Sequence, residues 1–168
     1  YSERLFLYRI IGPLSDEAAR RALSDPAESM GGSYTEEALS ILADASEGYP
    51  YFLQEFGKAI WDAAPGAPFA ADDAEVGLAN GRAQLDQGFY PSRWDRTTPA
   101  ERRYLRAIAA TGEPHPKTSS LSIPQNAAGP VRASLIKKGI IFSAERGRIG
   151  FTVPGMSGFI DRQPDDED

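Results

Sequence analysis

Through its first half, this chain repeats its apolar residues at helical spacing. Ser15 is a helix-capping residue type, Asp16 and Glu17 suit a first turn, and Ala19, Ala22 and Leu23 share one face. This spacing predicts a helix over 16–24, closed by Pro26 and by Gly31 and Gly32. Thr35 opens a second helix, with Glu36 and Glu37 in its first turn, Ala38, Leu39, Leu42 and Ala45 as its stripe, and Gly48 as its stop. A third is predicted over 51–64, with Phe52, Leu53, Phe56, Ile60 and Trp61 apolar and Pro50 in the first turn, where a missing N–H is harmless. A fourth over 72–87 is weakened by Gly77 and Gly81, each costing up to about 1 kcal/mol relative to Ala. Ahead of these helices, residues 9–14 read as the end of a short buried strand with Gly12 and Pro13 as a breaker, and Leu5, Phe6, Tyr8, Ile10 and Ile11 are expected to belong to something larger upstream.

From Thr98 the order becomes helix, short helix, helix, hairpin, the order of a winged helix-turn-helix. Thr98, Pro99 and Glu101 form a capping box, Tyr104, Leu105, Ile108 and Ala109 the buried face, and Gly112 the stop. A short Ser-rich helix is expected within 116–124. A third follows over 130–138, ended by Gly139, with Val131, Leu135 and Ile136 inward and Arg132, Lys137 and Lys138 outward. Residues 140–143 and 149–153 alternate as strands around a basic tip, 144–148, which would be the wing. The predicted fold class is therefore mainly α: a small four-helix bundle, then a winged helix-turn-helix with a short β-hairpin wing.

Charge sharpens this division. The 168 residues carry a net −6, but residues 1–95 hold seven Lys/Arg against sixteen Asp/Glu. Residues 96–160 hold ten against three, and 161–168 one against five. A basic module thus lies between acidic neighbours. The absence of cysteine excludes disulfides, a thiolate zinc site and a cysteine nucleophile, and His115 alone cannot build a histidine metal cluster, so no metal site is expected. No apolar run approaches the ~20 residues of a bilayer helix, and the first residues lack the basic and apolar regions of a signal peptide. The expectation is a cytoplasmic protein, or one whose start has been removed, without a membrane partner.

A helix fits the major groove of DNA, and cations on it and on the wing neutralise phosphates. The candidate DNA-binding residues are Gln125 and Asn126, with amides suited to adenine edges, and the cations Arg132, Lys137, Lys138, Arg146 and Arg148. The same layout serves winged helices that touch only protein, so double-stranded DNA and a protein partner both stay open. His115 reads as a turn residue, Asp72 and Asp73 as a helix start, and Tyr49, Tyr51, Phe52, Phe56 and Trp61 as bundle core. Gly48, Tyr49 and Pro50 by their spacing alone read as an ordinary helix stop followed by a proline-started helix.

Five segments carry a resemblance: RIIGPLSDEAAR at 9–20, EGYPYFLQEFGK at 47–58, FYPSRWDRTTPAERRY at 89–104, VRASLIKKGII at 131–141 and FTVP at 151–154. Together they resemble the C-terminal region of bacterial AAA+/STAND-type P-loop ATPases, related to initiator (origin-recognition-like) ATPases. The resemblance implies that 1–13 ends a missing ATPase core as its last strand. It makes 14–90 a helical lid domain, 91–97 a linker, 98–162 a winged-helix domain and 163–168 an acidic tail. It also implies that Gly48, Tyr49 and Pro50 are the family's Gly-x-Pro motif, whose proline touches the adenine of ATP or ADP. The nucleotide, with Mg2+, is then held through the missing upstream core, itself a partner of this fragment. Tyr51 stands where initiator-type relatives carry a phosphate-sensing arginine, which favours a STAND-like switch.

No Gly-x-x-x-x-Gly-Lys-Ser/Thr loop occurs, so the fragment alone is not expected to hydrolyse ATP, whereas the resemblance implies a full-length parent of the ATPase class that hydrolyses ATP or only switches on it. The alternative is a free-standing winged-helix transcriptional regulator whose helical half dimerises or senses a ligand. Self-association or docking of the winged helix on its own core is a further partner reading.

Overall fold

Ser15 and Thr35 open the first two helices as their types require: Ser15 Oγ accepts the N–H of Ala18 at 3.3 Å and Thr35 Oγ1 that of Ala38 at 3.2 Å. The structure, a computed structural model, describes residues 12–164, and of residues 125–127 the backbone alone. The expected strand as far as residue 11 and the tail residues 165–168 lie outside the described residues. The chain is mainly helical, with one small antiparallel sheet among the described residues, and divides into two compact units, Tyr1–Gly81 and Arg82–Asp168.

In the first unit α1 (Asp16–Ser29), α2 (Glu36–Ser46) and α3 (Pro50–Ala63) pack on one another, and α4 begins at Ala71. Leu42, Leu53, Phe56 and Ile60 form the fully buried centre. The first helix runs past its expected end at residue 24 because Pro26, while removing one intrahelical hydrogen bond, is followed by a turn that buries Ala27. Its C-terminus then closes through the N–H groups of Met30 and Gly32, which both donate to Ala27 O. Gly77 and Gly81 weaken α4 (Ala71–Gln84) as an isolated helix but let it approach α3: a Cβ on Gly77 would lie 2.7 Å from Ile60 Cβ, and one on Gly81 2.6 Å from Phe56 Cδ1. The loops at one end are tied by a short bridge in which Thr35 N–H donates to Phe69 O and Phe69 N–H to Ser33 O.

The second unit starts in the last turn of α4, which relaxes into a π-helical turn over Leu85–Phe89. Residues 91–97, read from sequence as a linker, form α5 (Pro91–Trp94) and an ordered turn whose Trp94 and Thr97 are buried. The capping box opens α6 (Pro99–Ala109) as expected, with both reciprocal hydrogen bonds made. The expected short helix over 116–124 is reduced to a 3-10 turn over Thr118–Ser120, because the chain before it is extended and pairs with the wing: Lys117 bridges Arg148, and Thr118 N–H donates to Gly147 O at 2.8 Å. Helix α7 (Gln125–Lys137) starts at Gln125 rather than at Pro130, which lies inside it.

Helix α7 ends in a Schellman motif, with Ile140 N–H donating to Leu135 O and Gly139, at φ +68°, donating to Ile136 O. Strands β1 (Ile141–Glu145) and β2 (Arg148–Phe151) form the wing, paired from Ile141↔Phe151 to Glu145↔Arg148, with an irregularity between Ser143 and Glu145. Gly147, at φ +76°, supplies the left-handed residue the tight tip needs. A last helix, α8 (Met156–Asp161), was not anticipated. Its Met156, Phe159 and Ile160 are buried, and Tyr90 stacks on Phe159 at 5.2 Å while its hydroxyl donates to Pro154 O at 3.0 Å.

Candidate functional site

The α2–α3 turn joins two left-handed residues in succession, Glu47 at φ 50° and Gly48 at φ 69°. Buried Ser46 supports them: its Oγ donates to Ala43 O at 2.7 Å and accepts the N–H of Gly48 at 3.1 Å. Gly48 is required here for two reasons. Its φ is unfavourable for a side chain, and a Cβ would sit 2.5 Å from Leu14 O. In return Leu14 N–H donates to Gly48 O at 2.9 Å, so the segment leading into α1 is fastened to this turn. The close approach that glycine permits is therefore to the chain's own backbone at Leu14.

Beyond Gly48, half-buried Tyr49 caps α3 and lies edge-on to Phe52 at 5.0 Å, and Pro50 occupies the first helical position, exposed. Tyr51 is 49% exposed. The exposed ring of Pro50 thus lies at the first turn of a helix, and a flat apolar ring of this kind is one on which an aromatic group can pack.

The basic residues of the second unit are not equivalent. Lys138 points inward: Nζ donates to Glu101 Oε2 at 2.7 Å and to Arg96 O at 2.8 Å. Glu101 is 3% exposed and also accepts from Ser134 Oγ and from Thr98 N–H. Burial pushes its carboxyl up, but the bonds from Lys138, Thr98 and Ser134 outweigh that and hold it at about 2, against an ordinary 4.5. The expectation that Lys138 faces outward is thus corrected, because the buried Glu101 carboxylate needs a cation and Lys138 is one turn beyond Ser134 on the same face.

Arg148 is engaged as well, donating to His115 O at 2.6 Å and lying 3.7 Å from Glu113. It holds the 113–118 segment to the wing. Arg132 is half-buried near Tyr104, whose hydroxyl pKa is raised by burial and drawn back by that guanidinium. Lys137 and Arg146 are exposed and make no ion pair among the described residues. The side chains of Gln125 and Asn126 lie outside the description. Where described, the exposed face of α7 is Gly129, Pro130, Ala133, Ile136 and Lys137, which offers one hydrogen-bonding side chain. His115 lies exposed in an open dish with Glu113, Glu145 and Arg148, its ring edge-on to Phe142.

Sequence reasoning missed two features here. Trp94 carries Arg102 and Arg106 over its ring at 4.9 and 5.3 Å, and Arg106 also donates to Gln163 O and Pro164 O. The i, i+4 arginine spacing was visible, but nothing local reveals that a tryptophan eight residues upstream folds beneath it. Trp61 is not sealed in the bundle core either. It is 36% exposed, packed on Phe69 at 5.4 Å and seated over Gly32, so it forms part of a surface. Among the described residues, no group of three or more His, Asp or Glu could hold a metal ion, and no helix is long and apolar enough to cross a membrane.

A family model described as a domain of unknown function (DUF8462) matches residues 87–160, from the π-helical turn to α8. No curated protein and no solved structure matches the chain. The similarity thus falls on the second unit and carries no activity with it.

Proposed function

We propose that this chain is the lid and winged-helix region of a nucleotide-dependent switch ATPase of the AAA+/STAND type. The observation that carries the reading is the hydrogen bond from Leu14 N–H to Gly48 O, with Gly48 packed against the Leu14 backbone. A chain arriving from an upstream core is thereby coupled to the turn that bears Tyr49 and Pro50. Movement of that incoming segment shifts the first turn of α3, and a base packed on Pro50 resists the shift. Adenine nucleotide bound by the core is in this way linked to the position of the helical unit. When bound, the nucleotide and its Mg2+ supply the phosphate chemistry, while this chain contributes a contact with the base.

Tyr51, which carries no cation, supports a lid that senses occupancy by the base and leaves the phosphates to the core. Photolabelling of the longer protein, core included, with an azido-adenine nucleotide tests this. The reading expects label in the peptide containing Tyr49 and Pro50, and labelling confined to the core contradicts it.

A second reading, winged-helix binding to duplex DNA, is favoured by exposed Lys137 and Arg146 on α7 and the wing tip. It is weakened by the engagement of Lys138 and Arg148 and, among the described side chains of α7, by an outward face of Gly129, Pro130, Ala133 and Ile136 in which Lys137 is the one hydrogen-bonding group. A protein surface is the better match to that face, and the winged helix serves as the output module of the switch.

A further inference from the structure

An apolar groove runs between α1 and α3 on the first unit. Leu23, Ala27 and Leu53 form its floor, Pro26 and Met30 one wall and Trp61 the other. Gly57 keeps the floor open, since a Cβ there would already lie 3.1 Å from Leu23 Cδ2. The Trp61 wall is fixed, because its ring is wedged over Gly32 and against Phe69, whereas Met30 is 68% exposed and adaptable. Exposed methionine and tryptophan facing each other across a furrow of small residues are a poor surface for water and a good one for an apolar side chain.

Size and charge select the occupant. At about 190 Å³ the cavity is smaller than the few hundred Å³ that small-molecule sites usually have. Yet Ala22, Pro26 and Met30 recur at i, i+4 and i+8 along about 12 Å of α1, enough to seat side chains from two successive turns of a helix. Residues 12–81 carry three Lys/Arg against thirteen Asp/Glu. On α1 itself Asp25 and Glu28 are exposed and make no ion pair among the described residues, while Lys58 beside the groove is already held by Asp62 at 2.5 Å. An anionic membrane surface or an acidic peptide meets repulsion here, and a cationic one meets attraction.

We infer that the α1–α3 groove docks an amphipathic helix of a partner protein, apolar on the buried side and bearing Lys or Arg on its flanks. The inference rests on the groove alone and stands whether or not the unit is a nucleotide lid.

Its test uses two fluorescent synthetic helices of about 15 residues, each with a leucine face, one with a lysine and one with a glutamate polar face, titrated into the full chain by anisotropy. The lysine helix binds and the glutamate helix does not. Met30→Asp, which adds negative charge and removes an apolar wall, weakens the lysine helix by about tenfold or more. Val76→Asp, the same change at a position 53% exposed on α4, leaves it unaltered. Equal binding of both helices, absence of binding, or Met30→Asp binding as tightly as wild type overturns the inference, the last because it leaves only bulk charge attraction. A wild-type dimer in sedimentation that Met30→Asp dissociates also overturns it, since a second copy then fills the groove.

Discussion

Lys138 Nζ donates to Glu101 Oε2 at 2.7 Å, joining the C-cap of α7 to the first turn of α6. One buried carboxylate thus serves the capping box of one helix and anchors the end of another. Replacing Glu101 with Gln keeps the shape but removes the charge that Lys138 and Ser134 address. The expected cost is about 2–3 kcal/mol at neutral pH, read from chemical denaturation. Because folding lowers this carboxyl from 4.5 to about 2, its contribution is full above the unfolded value and fades as pH falls through that window. The gap in stability between wild type and Glu101→Gln therefore narrows between about pH 4.5 and 2, and a gap that is constant with pH contradicts the assignment.

Lys138→Met leaves that carboxylate without its cation and is expected to destabilise the fold by about 2–3 kcal/mol, again from denaturant midpoints. If duplex DNA is bound at low salt, Lys137→Glu with Arg146→Glu abolishes the binding while leaving the denaturation midpoint within about 0.5 kcal/mol of wild type. A salt titration of labelled duplex separates the two cases. The structural lysine changes stability and the exposed pair changes affinity.

Gly77→Ala and Gly81→Ala raise helix propensity in α4, and on an exposed helix each would stabilise by up to about 1 kcal/mol. Here the added Cβ meets Ile60 backbone or the Phe56 ring at under 3 Å. Each is expected to destabilise instead, by about 1–3 kcal/mol, with the larger effect at Gly77, where backbone as well as side chain is in the way. Thermal unfolding of the two variants checks the sign.

Gly48→Ala combines a left-handed backbone with a Cβ aimed at Leu14 O, and about 2 kcal/mol of lost stability is expected in a denaturant titration. Wild-type stability in that variant contradicts the role given to this turn.

Much of the architecture is written in local pattern. The caps at Ser15, Thr35 and Thr98, the proline start at Pro50, the stop at Gly139 and the glycine at the tip of the wing are all decided by residues within one or two turns, whereas the burial of the two strands does not alternate as expected. What escaped local reading depends on distant partners. Pro26 is a breaker only until the burial of Ala27 is counted, Gly77 and Gly81 acquire their purpose only from α3, and α8 packs on α6 with Phe159 stacked on Tyr90.

At the candidate sites the same limit holds. The spacing of Gly48, Tyr49 and Pro50 marks a turn, but its link to Leu14 joins residues far apart in sequence, which no local pattern reveals. The basic count of the second unit was legible, but which cations are committed was not, since Lys137 and Lys138 are neighbours in sequence and differ only in facing solvent or Glu101.

The proposed lid function requires that Pro50 contact the adenine ring. Calorimetric titration of ADP into a longer protein carrying the proposed upstream core, wild type against Pro50→Ala, tests it most directly. Pro50 is exposed at the first position of α3, so its removal changes stability by less than about 1 kcal/mol. The account predicts ADP affinity reduced by about tenfold at unchanged unfolding temperature, as expected for loss of one apolar contact with the base. Equal affinity in the two proteins would contradict it.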